Sequence, residues 1–169
     1  MLKSETRQIK LELLRRVDLP QLAAIAREVN LGNWRIDDYK EEIDRKDSYL
    51  LAAKRRGNVI GFIAVRFSII GGGDESICSE ADVINIGVLK NYQRKGIGSL
   101  LLNEFLIKAV KLKIKTVWLE VRESNAEART FYKSYGFVEI QKRKNFYSHP
   151  LEDAWVMCLK LIDNLKISS

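Results

Sequence analysis

Apolar and polar positions alternate most clearly over KTVWLEVRE, residues 115–123, with Val117, Leu119 and Val121 pointing one way and Trp118, Glu120 and Arg122 the other. That period predicts a strand. Ser124 and Asn125 follow as caps for a helix running through about Tyr135 and closed by Gly136. Upstream, Ile97, Leu100, Leu101, Phe105 and Val110 predict a strongly buried helix from about Gly96 to Leu112. ADVINIGVL before it reads as a strand. SYLLAAKR and VIGFIAVRFSII read as two more, joined at a hairpin turn by Arg56-Gly57-Asn58. Residues 10–16 suggest a first strand, entering a helix capped by Asp18 with Pro20 at a first helical position. That helix carries Leu22, Ile25, Ala26 and Val29 on one face and is expected to end near Asn30–Gly32, ahead of a short helix over Ile36–Arg45. GGGDESICSE reads as a flexible loop, and FVEIQKRK and DAWVMCLKL as the last strands. The resulting order, β-α-α-β-β-β-α-β-α-β-β, predicts one α/β domain over residues 1–169, with 1–8 and 163–169 as flexible tails. Its sheet is expected to be mixed, largely antiparallel and about seven strands wide, flanked by about four helices.

Composition narrows the class without naming a chemistry. With 169 residues, 46% hydrophobic and 30% charged, the chain has material for one core, and two prolines with ten glycines argue against a linker-rich protein. No apolar run approaches the roughly 18–20 residues that cross a bilayer. The opening MLKSETRQIKLELLRR lacks the unbroken apolar stretch of a signal peptide, so a cytoplasmic address and no membrane partner are expected. Cys78, Cys158 and the single His149 cannot assemble an ordinary zinc site, and no metal is expected. Twenty-nine Lys+Arg against 22 Asp+Glu give a net charge of +7. This favours a polyanionic partner such as nucleic acid, a ribosomal surface or a phosphate-bearing cofactor, but solubilising surface lysines give the same balance. Aromatic-interleaved basic patches are not evident, so direct sequence-specific nucleic-acid binding is not expected.

The stretch most informative about chemistry is Tyr92-Gln93-Arg94-Lys95-Gly96-Ile97-Gly98-Ser99, between a predicted strand and a predicted helix. Gly96 and Gly98 let backbone approach a ligand closely, and the first-turn N–H groups of the helix form an anion site beside Arg94 and Lys95. The residues alone fit a pyrophosphate cradle and an ordinary tight turn about equally. It is neither a full dinucleotide fingerprint nor a nucleotide P-loop. The triple glycine at Gly71–Gly73 is followed by Asp74 and Glu75, which would repel phosphate.

In context, IxxGVxxxYQRKGIGSxLL resembles the acetyl-CoA-binding core of the GNAT (Gcn5-related) N-acetyltransferase superfamily, whose hallmark is Q/R-x-x-G-x-G/A. WLEVRESNAEARTFYKSYGFVEIQKRKNFY, with EDAWVM after it, resembles the RimI/Ard1-type branch of protein N-terminal acetyltransferases. The close match spans residues 84–157. It implies a single-domain GNAT fold, acetyl-CoA as co-substrate, and transfer of acetyl to a protein N-terminus, with a ribosomal protein as the substrate of choice. Ile86, Gly87 and Val88 would present backbone to the acetyl end and pantetheine arm. Arg94, Lys95, Gly96, Ile97, Gly98 and Ser99 would hold the pyrophosphate, and Asn125 would contact the cofactor from the next helix. Glu120 matches the branch's base, and Tyr132 the tyrosine that protonates the leaving thiolate.

Physical chemistry is compatible with those roles. An α-amine with a pKa near 8 must lose a proton before attacking a thioester. Glu120 shares a strand face with Trp118, where partial desolvation would suit a base. Read without the family, Glu120 could instead pair with Arg122 or a lysine, and Tyr132 could be a core aromatic. At the substrate end the branch's Phe-Pro-Trp-Ser-like stretch becomes Gly32-Asn33-Trp34-Arg35, and its paired tyrosines become Phe146-Tyr147. Trp34 and Tyr147 are the residues expected to meet the peptide, and the Gly71–Ser79 loop is expected to border its groove. No cysteine falls in the matched site, so direct attack in a ternary complex is expected. A small-molecule amine acetyltransferase and a non-catalytic acetyl-CoA-binding module are the rival readings.

Overall fold

A computed structural model of the chain describes residues 8–31, 34–70 and 77–161. In chain order the elements are β1 (Ile9–Leu13), α1 (Leu19–Glu28), α2 (Ile36–Asp44), β2 (Ser48–Arg55), β3 (Asn58–Ile70), β4 (Ile77–Val88), α3 (Ile97–Lys111), β5 (Thr116–Arg122), α4 (Ala126–Ser134), β6 (Val138–Ser148) and β7 (Leu151–Lys160). Single 3-10 turns occupy Arg16–Asp18 and Lys90–Tyr92. The strands form one seven-stranded sheet in the order β1-β2-β3-β4-β5-β7-β6. β1–β2, β2–β3, β5–β7 and β6–β7 pair antiparallel, whereas β4–β5 is parallel. The mixed, largely antiparallel α/β architecture expected from the sequence is therefore present.

The chain forms two compact units, one drawn from Met1–Arg66 and Ile84–Ile107, the other from Phe67–Val83 and Lys108–Ser169. In the first, the β2–β3 hairpin turns through Arg56 and Gly57 at φ +50° and +82°, the left-handed pair that matches strand twist. Leu22, Ile25 and Ala26 of α1 join Leu50, Ala52, Phe62 and Ala64 of β2 and β3 in a buried cluster, with Val29 only partly buried against it. Residues 10–16 do not form one strand: β1 stops at Leu13, and a 3-10 turn intervenes before α1. Asp18 does not cap α1 with its side chain. Its carboxylate instead accepts from Arg15 N at 3.0 Å and from Lys54 Nζ at 2.9 Å. Asp18 and Lys54 are both buried, and a buried ammonium needs a charged partner more than a helix end needs a cap.

In the second unit β5 lies between β4 and β7, with Val117, Leu119 and Val121 buried and Glu120 outward, as the alternation predicts. The loop expected over residues 71–80 is shorter, because residues 77–80 already belong to β4. Ser79 O accepts from Lys115 N at 2.9 Å, and Glu80 pairs with Thr116. Residues 71–76, with the groove border assigned to them, lie outside the described residues, as do Gly32 and Asn33. Asn125 caps α4 by accepting from Ala128 N at 3.0 Å. α3 crosses from one unit into the other. It buries Ile97, Leu101, Leu102, Phe105 and Ala109, while Leu100 is half-buried and Val110 exposed, contrary to expectation. Val110 sits one 100° step beyond Ala109, off the buried stripe.

Candidate active site

In the first unit, β4 delivers Ile86, Gly87 and Val88 to the strand's end. A Cβ on Gly87 would lie 2.8 Å from Leu31 Cδ1, 3.1 Å from Phe62 Cε1 and 3.2 Å from Ile25 Cγ2, so any side chain here crowds its neighbours. The chain leaves the strand under tight control. Lys90 N donates to Glu28 Oε1 at 2.8 Å, and Gln93 Nε2 donates to the Val88 carbonyl at 3.0 Å. Gln93, the first residue of the sequence hallmark, thus ties the turn back to the end of β4.

Arg94 and Gly96 then adopt φ +59° and +79°. These left-handed steps swing the backbone so that α3 begins at Ile97 with its first-turn N–H groups facing the loop. No atom lies within 4 Å of where a Gly96 Cβ would be, so the loop leaves open space above it. Arg94, Lys95 and Gly96 are exposed, and Gly98 and Ser99 half-buried. Lys95 Nζ sits 5.6 Å from the centre of the Tyr92 ring. Helix-end N–H groups, a guanidinium and an ammonium around open space form a donor set that fits a pyrophosphate. Trp34, in the same unit, is half-buried against the core, its ring 4.9 Å from Tyr39. Tyr39 is fully buried, and its hydroxyl meets the Asn85 amide on β4 at 3.3 Å.

The second unit holds Glu120, Asn125, Tyr132 and Tyr147. Pairing of β4 with β5 ends at Val83 and Leu119, so Glu120 follows directly on the last paired residue. Its carboxylate is exposed rather than shielded by Trp118, and its partner is neither Arg122 nor a lysine. Arg143 Nη1 of β6 donates to Glu120 Oε1 at 2.8 Å. Tyr147 is half-buried, and its hydroxyl reaches the Glu120 carbonyl at 3.5 Å, a long contact. Burial pushes the Tyr147 hydroxyl up to about 12, against the lowering effect of Arg122. Tyr132 is buried, 5.3 Å from the Phe131 ring and 5.7 Å from Phe137. Burial, then the neighbouring Tyr147, lifts its hydroxyl above the ordinary tyrosine value. Its proton therefore stays in place at neutral pH, at some loss of acid strength. Asn125 spends its side-chain oxygen on the α4 cap, leaving the amide nitrogen as its donor.

The structure thus brings Glu120 to Tyr147 in one unit and gathers Ile86–Val88 with the Arg94–Ser99 turn in the other. Sequence reasoning missed Arg143, which lies 23 residues from Glu120. It also passed over Gln93 as a positioning residue and Glu152, whose carboxylate accepts from Arg122 and from Ser124 N. The EVRESN and EDA segments that carry Arg122, Ser124 and Glu152 were visible, but their contact was not.

A helix start beside Arg94 and Lys95 in one unit and an exposed strand carboxylate in the other suit group-transfer chemistry on a mixed sheet. The sequence pattern of the acetyltransferase (GNAT) family matches residues 19–137, and the chain belongs to that family. It is an N-acyltransferase with acetyl-CoA as co-substrate. The chain is 33% identical over 148 residues to the [ribosomal protein bS18]-alanine N-acetyltransferase of Haemophilus influenzae, covering 85% of this chain and 93% of that one. It is 30% identical over 161 residues to an N-alpha-acetyltransferase of Sulfurisphaera tokodaii, covering 92% and 95%. Among solved structures, the ribosomal-protein-S18-alanine N-acetyltransferase of Escherichia coli superposes with a TM-score of 0.79 at 27% identity, covering 95% of this chain and 99% of that one.

Proposed function

We propose that this chain, acting in the cytoplasm as one catalytic domain over residues 1–169, acetylates the N-terminal α-amine of a protein, with a ribosomal protein among its substrates. The observation that carries the reading is the likeness to the H. influenzae enzyme, which extends over 93% of that enzyme rather than the cofactor core alone. Acetyl-CoA supplies an acyl group activated as a thioester. Arg94, Lys95 and the backbone of Gly96, Ile97, Gly98 and Ser99 hold its pyrophosphate, the backbone of Ile86–Val88 orients the acyl end, and Asn125 adds a donor from the α4 cap. Glu120 takes the proton from the attacking amine, and its exposure lets a peptide N-terminus reach it. Tyr132, kept protonated by burial, returns a proton to the thiolate. Trp34 and Tyr147 flank the incoming peptide. No cysteine takes part, so attack is direct, in a ternary complex.

The test is acetyl transfer to a panel of peptides differing in their first two residues, with polyamines and lysine peptides alongside. Preferential acetylation of α-amines, alanine-first peptides included, is expected. A polyamine or lysine side chain preferred over every peptide N-terminus would overturn the reading.

A further inference from the structure

Arg122 stands on the polar face of β5, yet its side chain is only 11% exposed. Its guanidinium is held on three sides. Nη1 donates to Glu152 Oε2 at 3.1 Å, Nη2 donates to the His149 carbonyl at 3.2 Å, and the plane lies over the Tyr147 ring, 4.0 Å from its centre. Glu152 is anchored in turn, since its other oxygen accepts from Ser124 N at 2.7 Å. Hydrogen bonds from Ser124 and Arg122 hold the Glu152 carboxyl below the usual carboxylate range. This assembly joins the end of β5, the start of α4 and the β6–β7 turn. Its outcome is a fixed Tyr147 ring whose hydroxyl reaches back to the Glu120 carbonyl.

We infer that Arg122, locked by Glu152 and the His149 carbonyl, is the positioning residue that fixes Tyr147 for peptide binding. The inference rests on the proposed reading that Tyr147 meets the substrate peptide. Without a brace, the ring near the end of an edge strand would sample other rotamers, and each productive encounter would have to freeze it again. A planar guanidinium suits the task better than an ammonium. It stacks on a ring face while its edge N–H groups still reach a carboxylate and a carbonyl. The charge pair Arg122–Glu152 also links the two segments, EVRESN and EDA, that the sequence shows as separate motifs.

The test combines a substrate-free readout with kinetics on an alanine-first peptide. Fluorotyrosine is incorporated into the full chain, and the Tyr147 signal in the 19F spectrum is assigned through Tyr147→Phe. Arg122→Gln should shift and sharpen that resonance, with Arg122→Lys intermediate. The peptide KM should rise about fivefold or more in Arg122→Gln and in Tyr147→Ala, and the double variant should be no worse than Tyr147→Ala alone. Acetyl-CoA affinity should stay within about twofold in all of these variants, which shows that they fold, and kcat should stay within about twofold in Arg122→Gln. If Arg122→Gln destabilises the chain too far, Glu152→Gln loosens the same lock from its other end, with the same resonance shift and KM rise expected. An unmoved Tyr147 resonance, or effects of Arg122→Gln and Tyr147→Ala that simply multiply, would overturn the inference. An unchanged peptide KM in Tyr147→Ala would overturn the substrate role of Tyr147 and the inference with it. Failure of the wild type to acetylate any peptide would overturn the proposed function. A resonance shift in that case would still support the brace itself.

Discussion

Gly61 and Gly87 lie close together on β3 and β4, and replacing them with alanine should have unequal effects. Neither has a left-handed φ, so the alanine backbone is unstrained and the outcome is set by space alone. A Cβ on Gly61 would meet the Gly87 carbonyl oxygen at 3.0 Å, Ile97 Cγ2 at 3.2 Å and Val88 Cγ2 at 3.2 Å. The first is backbone inside the sheet and cannot rotate away. A Cβ on Gly87 meets the tip of Leu31 at 2.8 Å, closer, but Leu31 is only partly buried and its methyl can turn; its other contacts, Phe62 Cε1 at 3.1 Å and Ile25 Cγ2 at 3.2 Å, are side chains that need give only a few tenths of an ångström, not backbone. Overpacking a core costs about 1–3 kcal/mol, and alanine regains roughly 0.4–1 kcal/mol by restricting the unfolded chain. Gly61→Ala should therefore fall near the upper end, a net loss of about 2 kcal/mol, and Gly87→Ala near about 0.5 kcal/mol. For a chain of this size that means Tm losses of about 4–8 °C and about 1–2 °C. Gly61→Ala also pushes on the first residue of α3 and on the carbonyl proposed to face the acyl end, so it should weaken acetyl-CoA binding several-fold. Circular dichroism melts and calorimetric acetyl-CoA titrations read both effects. A Gly61→Ala Tm loss no larger than that of Gly87→Ala would refute the argument that backbone, not side chain, sets the limit.

Glu120→Gln should lower kcat at least tenfold, most severely at low pH, whereas Tyr132→Phe should show a defect of that order at every pH where the wild type works, since burial keeps the Tyr132 proton on across that range; paired pH–rate profiles check this. Gly98→Glu should abolish acetyl-CoA binding in calorimetry, and Arg94→Ala should weaken it more at low salt than at high salt. Among the described residues, Asp18→Ala leaves the buried Lys54 with only the half-exposed Glu12 at 3.4 Å, and should cost about 3–5 kcal/mol in denaturant unfolding. Burial alone would raise the Asp18 carboxyl, but hydrogen bonds from Lys54 and Arg15 N outweigh it and hold it below the usual value, so its contribution is full above about pH 4 and is lost as pH falls through the depressed folded value. Acid-unfolding curves of wild type and Asp18→Asn should therefore converge at low pH.

Elements governed by local pattern were legible. The Val117/Leu119/Val121 alternation, the Asn125 cap and the turn at Arg56-Gly57 all depend on neighbours within a few residues, and the structure has each of them. The Arg94–Ser99 turn was legible for the same reason. What the sequence hid depends on distant partners. Asp18 looked like a helix cap because nothing nearby announces Lys54, which is 36 residues away. Residues 77–80 looked like loop because their strand character comes from pairing beside β5. Glu120 looked ready to pair with Arg122, two positions along the same face. Instead Glu152 takes Arg122 and Arg143 takes Glu120, a choice set by the β6–β7 register, which shifts between Arg143 and Tyr147.

The two compact units are interleaved along the chain, since each is built from two separated stretches. During synthesis at about 5–20 residues per second, the first unit lacks its second stretch until Ile107 has been made, roughly 5–20 s after Ile9 of β1. The β1–β2–β3 meander emerges well before that, with the apolar partners Ile84 and Leu89 of its core cluster still to come. An engineer wishing to exchange the half bearing Glu120 and Tyr147 for that of a relative meets the same interleaving. No single crossover in the gene separates it from the half bearing the Arg94–Ser99 turn. Recombination would need three junctions, near Arg66, Val83 and Ile107, two of them inside β3–β4 and one within α3.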